Sequence, residues 1–301
     1  MGGERDARLV GDLDQSLLTE VVMAEKESLL NTLLGLSMIV EARDPYTGGH
    51  LWRVSQFSKL LAQQAGLSQR DVALSEIGGF LHDLGKVGVP DAILNKPDRL
   101  TDAEFSIIKT HPAVGGRLLA NHPLASLAMD AVVGHHERAD GKGYPHGIVG
   151  EVIPEVARIV SIADAFDAMT STRAYRKGMP MERALVIIGE ELGSQFDARL
   201  GHHFLALDRT NDIAHIVGHS EPGMPLLPCP SCAAPVVVKR SQHDGSHIYC
   251  RACGGESRLN KVGTSLKLDM TGQMGDAAVL APDSDPDLIG AMVADIAPHV
   301  L

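Results

Sequence analysis

The chain has 301 residues, enough for one large domain or two modest ones, and its apolar share of 44% is that of an ordinary globular protein. Its net charge of −11 argues against broad binding to nucleic-acid backbones, whereas a small phosphorylated ligand needs only a few well-placed cations. The longest apolar stretch, residues 29–40, is far shorter than the roughly 20 residues of a membrane span. The N-terminus shows no signal-peptide layout and no myristoylation motif. We therefore expect a cytoplasmic protein without a membrane segment.

A long helical pattern covers about residues 12–42, after a weakly ordered start over residues 1–11. The apolar positions with helical spacing are Leu13, Leu17, Val21, Leu29, Leu30, Leu33, Leu34 and Met38. The turn formers Asp44-Pro45 and Gly48-Gly49 end this pattern. The half before residue 29 fits two interpretations equally well. It is either a helix that packs on its own domain or a helix that forms a homodimer or transmits a signal. Residues 1–30 are thus predicted to be an N-terminal helical segment.

Short helices with short connections are predicted from there to residue 207. Helical spacing of apolar residues covers residues 51–65, 71–82, 124–133, 154–171, 180–192 and 198–207. Thr101 and Glu104 have the spacing of a capping box and open a helix that runs to Thr110, while Pro112 is suited to begin the next helix. No segment alternates with period two for long, so residues 31–215 are predicted to form an all-α domain.

The composition changes near His219, where residues 221–225 resemble a linker. All four cysteines follow as two CxxC pairs, Cys229 with Cys232 and Cys250 with Cys253. This is the spacing of a structural zinc site with four thiolates, and it suits a zinc ribbon better than a redox pair. We therefore predict a β-rich, zinc-ribbon-like module over residues 226–268 with one structural zinc, followed by a flexible tail over residues 269–301 with a weak helix at 288–296.

Histidines and aspartates are spread over several of the predicted helices. A single histidine in a helix is more often a hydrogen-bonded structural residue than a ligand, but here His-Asp and His-His pairs stand near helix ends, as a metal site in a bundle core requires. Imidazole and carboxylate without thiolate suit iron, manganese, nickel, cobalt or zinc. Two such ions activate water and stabilise charge on a phosphoryl group. The candidate ligands are His50, His82, Asp83, His111, His135, His136 and Asp164.

A series of local motifs surrounds these ligands. They are EARDPYTGGH at 41–50, HDLGK at 82–86, NKP at 95–97, KTHP at 109–112, HHER at 135–138, DGKGYP at 140–145, RIVSIADAFDAMT at 158–170 and RAYR at 173–176. In this order they resemble the HD-GYP family, an extension of the HD metal-dependent phosphohydrolases, over about residues 30–207. The fold is accordingly expected to be mainly α, an HD-type helical bundle with the small β-rich module on its C-terminal side.

The resemblance implies a role for each matching residue. One metal would be held by His50, His82, Asp83 and Asp164, and a second by Asp83 as a bridge with His111, His135 and His136. Asp83 and Lys86 would be the catalytic residues, with Lys86 on the scissile phosphate. The ligand would also be contacted by Tyr144, Asp167, Arg173 and Arg176. The spacing of the two arginines alone favours a solvated helix end, but beside this set of metal ligands we expect a guanidinium clamp for phosphate.

One position departs from part of the family. Some members carry a glutamate just before the Thr-Gly-x-His segment, where it helps to recruit a third metal, and Tyr46 stands there in this sequence. A phenol is a poor ligand for a hard third ion. We therefore expect a binuclear site with two divalent ions of iron, manganese, nickel or cobalt.

The sequence favours hydrolysis of a cyclic dinucleotide by metal-activated water, from cyclic di-GMP to linear pGpG, with onward hydrolysis to GMP left open. The alternative is a signalling module that binds the cyclic dinucleotide with little or no turnover; degenerate metal motifs would have favoured it. A third function, hydrolysis of mononucleotides or alarmones, is disfavoured by the GYP loop and by the segment of Arg173 and Arg176. Protein partners are expected at the GYP loop or at the zinc ribbon.

Overall fold

The structure is a computed structural model that describes residues 3–44, 47–96, 98–173, 176–210, 212–263, 265–281 and 285–301, with side chains described from residue 17 onward. Helices dominate the chain up to residue 210. They are α1 (Gly3–Glu41), α2 (His50–Gln64), α3 (Gln69–Leu81), α4 (Asp91–Leu94), α5 (Asp102–Ile108), α6 (His111–Leu119), α7 (Met129–Gly134), α8 (Glu155–Thr170), α9 (Met181–Glu190) and α10 (Ala198–Thr210). The predicted class, mainly α with a small β-rich module, is confirmed.

Local sequence explains where several helices begin. The capping box at α5 is present in full: the Thr101 side chain accepts from the backbone of Glu104, and the Glu104 carboxylate accepts from the backbone of Thr101 at 2.7 Å. Such a cap satisfies two of the orphan donors at a helix start. Ser68 caps α3 in a similar way, since its hydroxyl accepts from Asp71 N. The helix predicted over residues 124–133 begins later in the structure, because a 3-10 turn, Ala125–Leu127, precedes α7.

The core of the bundle lies between α2, α3, α8 and α10. Phe57, Phe166 and Phe204 meet there edge to face, with ring centroids 5.1 Å apart for Phe57 and Phe166 and 5.0 Å for Phe166 and Phe204. All three rings are buried. This arrangement suits the ring quadrupoles and fixes α8, which carries the candidate ligand Asp164, against α2.

The two halves of α1 differ in burial. Leu30, Leu33 and Leu34 are buried in the bundle core, whereas Leu17 and Val21 are both about 60% exposed. The helix begins at Gly3, earlier than the sequence predicts. Homodimerisation through the exposed half stays a prediction. None of the helices in the described residues combines the length and the hydropathy needed to cross a membrane.

The C-terminal module consists of short antiparallel strands. They are β1 (His219–Glu221), β2 (Met224–Pro225), β3 (Leu227–Pro228), β4 (Pro235–Val236), β5 (His247–Tyr249), β6 (Gly255–Val262) and β7 (Ser265–Met274). β1 pairs with β2, β3 with β4, and β5 to β7 form a three-stranded sheet. Val236, Val238, Ile248 and Leu259 make a small core of their own. The residues predicted as a linker thus form part of the β1–β2 hairpin, which packs on α2.

The end of the chain is a helix rather than a flexible tail. Helix α11 (Pro286–Val300) packs on α1 and α3 and buries Ile289, Met292, Val293 and Ile296. These positions have the spacing of one helix face, and Asp285 caps the helix by accepting from Leu288 N. The weak helix predicted at 288–296 is thus part of a longer helix that packs on the bundle, and the prediction of a flexible tail is wrong for residues 286–300. The other predicted domain boundaries stay predictions.

A cavity of about 580 Å³ lies between the bundle and the module. Residues of α1 and α2, including Glu41 and Trp52, line one side. Residues of the module, including Val236 and Tyr249, line the other. The two parts therefore touch around this cavity without filling the space between them.

Candidate metal centres

Imidazole and carboxylate side chains converge where several helices begin or end. His50 begins α2, His82 and Asp83 follow α3, His111 begins α6, His135 and His136 follow α7, and Asp164 lies in α8. Ends of neighbouring helices can direct side chains into one shared space, which is how bundle cores build metal sites. The structure thus brings together all of the residues predicted as ligands of the bundle metals.

The ligand atoms form two groups with Asp83 between them. The atoms of His50, His82 and Asp164 lie within 4.8 Å of one another, and so do those of His111, His135 and His136. Asp83 Oδ2 lies 3.2 Å from His82 Nε2, and Asp83 Oδ1 lies 3.5 Å from His111 Nε2. One carboxylate therefore faces both groups, as a bridging ligand would.

Four of the five imidazoles are held by their Nδ1 atoms. His82 Nδ1 lies 2.8 Å from Gly79 O, His111 Nδ1 2.8 Å from Ile108 O, and His135 Nδ1 2.9 Å from Ala131 O. His50 Nδ1 lies 2.7 Å from Asp167 Oδ2. Because these oxygens can only accept, Nδ1 carries the proton and the lone pair of Nε2 points to the centre. This is the tautomer that metal-binding histidines adopt.

The polar atoms at the centre fit cations. The buried Nε2 atoms of His50 and His82 have no hydrogen-bond partner among the described residues. His111 Nε2 lies 3.1 Å from His135 Nε2, and both rings already donate through Nδ1. Two lone pairs this close repel each other unless a cation accepts them, and buried unpaired polar atoms are costly. The donor set therefore fits divalent metal ions.

The electrostatics favour the metal-binding forms of His135, His136 and Asp83 but oppose that of His50. Burial and the neighbouring histidines lower the pKa of His136 to about 3 and also lower the pKa of His135, so both rings are neutral at pH 7. Burial would raise the pKa of Asp83, but the charges of Lys86 and His82 lower it well below its usual value. For His50, burial lowers the pKa, while the neighbouring carboxylates of Asp167 and Asp83 raise it, to about 9. Metal binding at His50 thus competes with a proton.

Lys86 lies beside the bridging carboxylate. It sits on a 3-10 helix, Leu84–Gly88, and its Nζ lies 2.5 Å from Asp83 Oδ2. Arg43 holds this turn by donating to the carbonyl oxygens of Lys86 at 3.1 Å and Val89 at 2.8 Å. The ammonium is therefore fixed at the edge of the metal-ligand set, with its side chain 24% exposed.

Gly85 allows the two ligand groups to approach each other. A Cβ atom at this position would lie 1.9 Å from His111 O and 2.5 Å from Gly115 N, both backbone atoms of α6. Only a glycine lets α6 come this close to the turn after Asp83. The distance between Asp83 and His111 depends on this contact.

Asp167 was predicted to contact the substrate, but its side chain is not exposed at the protein surface. It is fully buried, and its carboxylate accepts from Arg53 Nε at 2.5 Å and pairs with His50 Nδ1. Both oxygens are engaged, so the prediction that Asp167 contacts the substrate is wrong. Its position makes it the residue that orients His50.

The predicted clamp of two arginines is also wrong. Arg176 donates to Met169 O at 3.1 Å and contacts Ala168 O, so it caps the C-terminus of α8. Arg173 N donates to Arg176 O at 2.7 Å in an isolated bridge, so these two residues do not share a helix face. Arg173 alone lies close to the acidic residues of the centre, and although burial opposes it, the charge of Asp44 raises its pKa.

The GYP loop covers the second group of histidines. The Tyr144 ring stacks on His136 at a centroid distance of 4.7 Å, and burial raises the pKa of this phenol. A Cβ at Gly143 would lie 2.4 Å from Arg138 N, which explains the glycine. The buried Glu137 holds the loop by accepting from His146 N at 2.7 Å and from Ile148 N at 3.2 Å.

The four cysteines form a second candidate metal centre. Cys229 Sγ lies 3.7 Å from Cys253 Sγ, Cys232 Sγ lies 3.6 Å from Cys250 Sγ, and all four sulfurs lie within 4.8 Å of one another. Thiolates about 2.3 Å from a zinc ion stand about 3.8 Å apart at the corners of a tetrahedron. No disulfide joins the cysteines. The distances between the four sulfur atoms thus match the zinc site that the CxxC pairs predict.

Three functional residues received no role from the sequence. Arg53 pairs with Asp167, Glu137 holds the GYP loop, and Arg43 holds the turn of Lys86. Arg43 and Glu137 lie inside the motifs at 41–50 and 135–138, but these motifs do not show what the two side chains bind. Arg53 could have been noticed as a charged residue three positions after His50 on a helix with an otherwise mostly apolar buried face. Tyr46 lies outside the described residues, and the binuclear site inferred from it stays a prediction.

Known proteins are similar to the chain over the helical bundle. A family model described as an HD domain matches residues 35–200. The cyclic di-GMP phosphodiesterase response regulator RpfG of Xanthomonas campestris pv. campestris is 41% identical over 189 residues, which cover 62% of this chain and 50% of the relative. A cyclic di-GMP phosphodiesterase of Thermotoga maritima is 39% identical over 186 residues, 61% of this chain and 50% of the relative. The 3'3'-cGAMP-specific phosphodiesterase 3 of Vibrio cholerae serotype O1 is 41% identical over 160 residues, 53% of this chain and 35% of the relative. The chain thus spans about half of the length of the first two relatives and 35% of the length of the third.

Proposed function

Because the chain belongs to the HD domain family, we propose that it is a metal-dependent phosphodiesterase that opens cyclic di-GMP to linear pGpG. The observation that carries this proposal is the convergence of the two ligand groups on Asp83, next to Lys86. The relatives support the substrate class, since two of them are named cyclic di-GMP phosphodiesterases and a third is named for 3'3'-cGAMP. Binding of a cyclic dinucleotide with little or no turnover remains the alternative.

The residues of the two groups would hold two divalent ions of iron, manganese, nickel or cobalt, with Asp83 as the bridge. Such a pair supplies a water of lowered pKa and stabilises charge on the phosphoryl group. Lys86 would leave its contact with Asp83 in part and donate to a non-bridging phosphate oxygen, which favours the charge that develops there. Arg173 would add a second cation near the phosphates, and the ring of Tyr144 would border the substrate at the outer side of His136.

A turnover experiment tests the reaction and the substrate. Protein loaded with manganese, iron, nickel or cobalt is incubated with cyclic di-GMP, 3'3'-cGAMP or cyclic di-AMP, and the linear products are separated by chromatography. We expect cyclic di-GMP to give pGpG. We expect Lys86→Met to lower kcat by about 10²–10³-fold, as loss of one charge-stabilising donor does.

The matched control is Lys142→Met, because the Lys142 side chain is 81% exposed and lies in the GYP loop. It should keep the parent kcat. Tight binding of cyclic di-GMP without any product, with each of the four metals, would support the binding module and contradict the phosphodiesterase.

We also propose that the four-cysteine module binds one structural zinc ion. Cys250→Ser should remove one zinc per chain, measured by elemental analysis of the purified protein, because a tetrahedral site needs all four thiolates. Ser231→Ala is the matched control, since Ser231 is exposed between Cys229 and Cys232 and offers no thiolate. Parent protein that carries no zinc and forms disulfides in air would support a redox pair instead.

A further inference from the structure

Arg53 connects the bundle metal centre to the C-terminal module. Its guanidinium is almost completely buried. Nε donates to Asp167 Oδ1 at 2.5 Å, and Nη2 donates to Asp167 Oδ2 at 3.2 Å and to Ser171 Oγ at 3.1 Å. Nη1 donates to Gly48 O at 3.0 Å and to His219 O at 2.8 Å. One side chain thus holds the carboxylate that orients His50 and a carbonyl of strand β1.

The module also packs on the turn that leads into His50. Gly49 has φ 73°, and a Cβ atom there would lie 2.5 Å from Ser220 Cα. A Cβ at Gly48 would lie 2.5 Å from a methyl group of Val237, on the far side of the same turn. Ser220 is buried in this contact. The module therefore touches the segment next to a metal ligand through two of its own segments.

A movement of the module would change the orientation of the His50 ring. If strand β1 moves away, an Nη1 donor of the buried guanidinium loses its carbonyl partner, and water or a new partner must replace it. A change in the position of Arg53 moves Asp167, because both Asp167 oxygens are bonded to it. The same carboxylate sets the orientation of the His50 ring and the proton on Nδ1. Partners of this kind typically change metal affinity by 10–100-fold when they are lost.

We infer that the module is a positioning element of the bundle metal centre, which acts through His219 O, Arg53 and Asp167 on His50. Arg53 is then a positioning residue rather than a catalytic one. The inference rests on the proposed metal centre but not on the reaction or its substrate. It assigns to the module a role in metal affinity at a site to which the module contributes no ligand.

The test measures manganese binding to the full chain, by chelator competition and electron paramagnetic resonance, in variants of the contact. Ser220→Leu places a larger side chain against the Gly49 turn and leaves the cysteines in place. We expect it to weaken one manganese step by roughly 10–100-fold and to leave the other step and the zinc content unchanged. Ser241→Leu is the matched control, because Ser241 is exposed on the same module, and it should bind manganese like the parent.

Arg53→Lys distinguishes an effect of the module through Arg53 from a general loss of structure. A lysine keeps one charge for Asp167 but cannot donate to Gly48 O and His219 O at the same time. In the Arg53→Lys background, Ser220→Leu should have no further effect on manganese affinity. Independent, multiplicative effects of the two substitutions would overturn the inference, and so would normal manganese binding in Ser220→Leu. A failure of the turnover experiment would leave these binding results unchanged, so the two proposals can fail separately.

Discussion

Asp83→Ala is expected to abolish both metal binding at the bundle centre and phosphodiesterase activity. Asp83 faces both ligand groups, with one oxygen near His82 and the other near His111, and no other described carboxylate does so. Loss of the bridge removes a ligand from each ion. Metal ions contribute several kcal/mol of transition-state stabilisation, so kcat/KM should fall by about 10³-fold or more.

The measurement combines elemental analysis of the purified variant with product formation from cyclic di-GMP. Asp130→Ala is the control, since Asp130 is an exposed carboxylate in the first turn of α7 and should leave both quantities unchanged. Activity that survives in Asp83→Ala together with two bound metals would show that the mechanism proposed above is wrong.

Gly85→Ala is expected to have the second largest effect. The added methyl group would meet His111 O at 1.9 Å and Gly115 N at 2.5 Å, so α6 has to move away from the turn that carries Asp83 and Lys86. Overpacking of this kind lowers the free energy of unfolding by roughly 1–3 kcal/mol, and contact with backbone atoms places the change at the upper end. The shift also separates His111 from Asp83, so the second metal should be lost while the fold remains.

Denaturant unfolding and metal content measure these two effects. Gly290→Ala provides the opposite case, because no atom lies within 4 Å of a Cβ at this helical position of α11. It should raise the free energy of unfolding by about 0.5–1 kcal/mol, since alanine loses less backbone entropy than glycine in a helix. A Gly85→Ala variant with parent stability and two metals would mean that α6 adapts to the methyl group without cost.

The sequence predicted the bundle well because each of its signals is local. The capping box of Thr101 and Glu104, the helical spacing in α2 and α3, and the histidines at helix ends all act within a few residues. The candidate metal ligands could be found because each of them stands in a short local motif, although the motifs are spread from residue 41 to residue 176. The chemistry of imidazole and carboxylate then limits what these residues can bind.

The wrong predictions concern residues whose partners lie far away in the sequence. Asp167 shares a helix face with Asp164, but its role follows from Arg53, which is 114 positions away. The role of Arg176 follows from the carbonyl oxygens of Met169 and Ala168 at the end of α8, which its guanidinium contacts. The burial of α11 depends on α1 and α3, and its own sequence shows only one apolar face. Tertiary contacts decide these cases, and spacing alone cannot reveal them.

The return of α11 to the bundle has a consequence for the module. The chain leaves the bundle after α10, builds the strands from β1 to β7, and then rejoins α1 and α3 as α11. The module is therefore tethered at both of its ends, and its contact with the Gly48-Gly49 turn is an intramolecular equilibrium. Tethering of this kind replaces the protein concentration with an effective concentration that the linkers set. Dilution of the protein therefore does not weaken the contact.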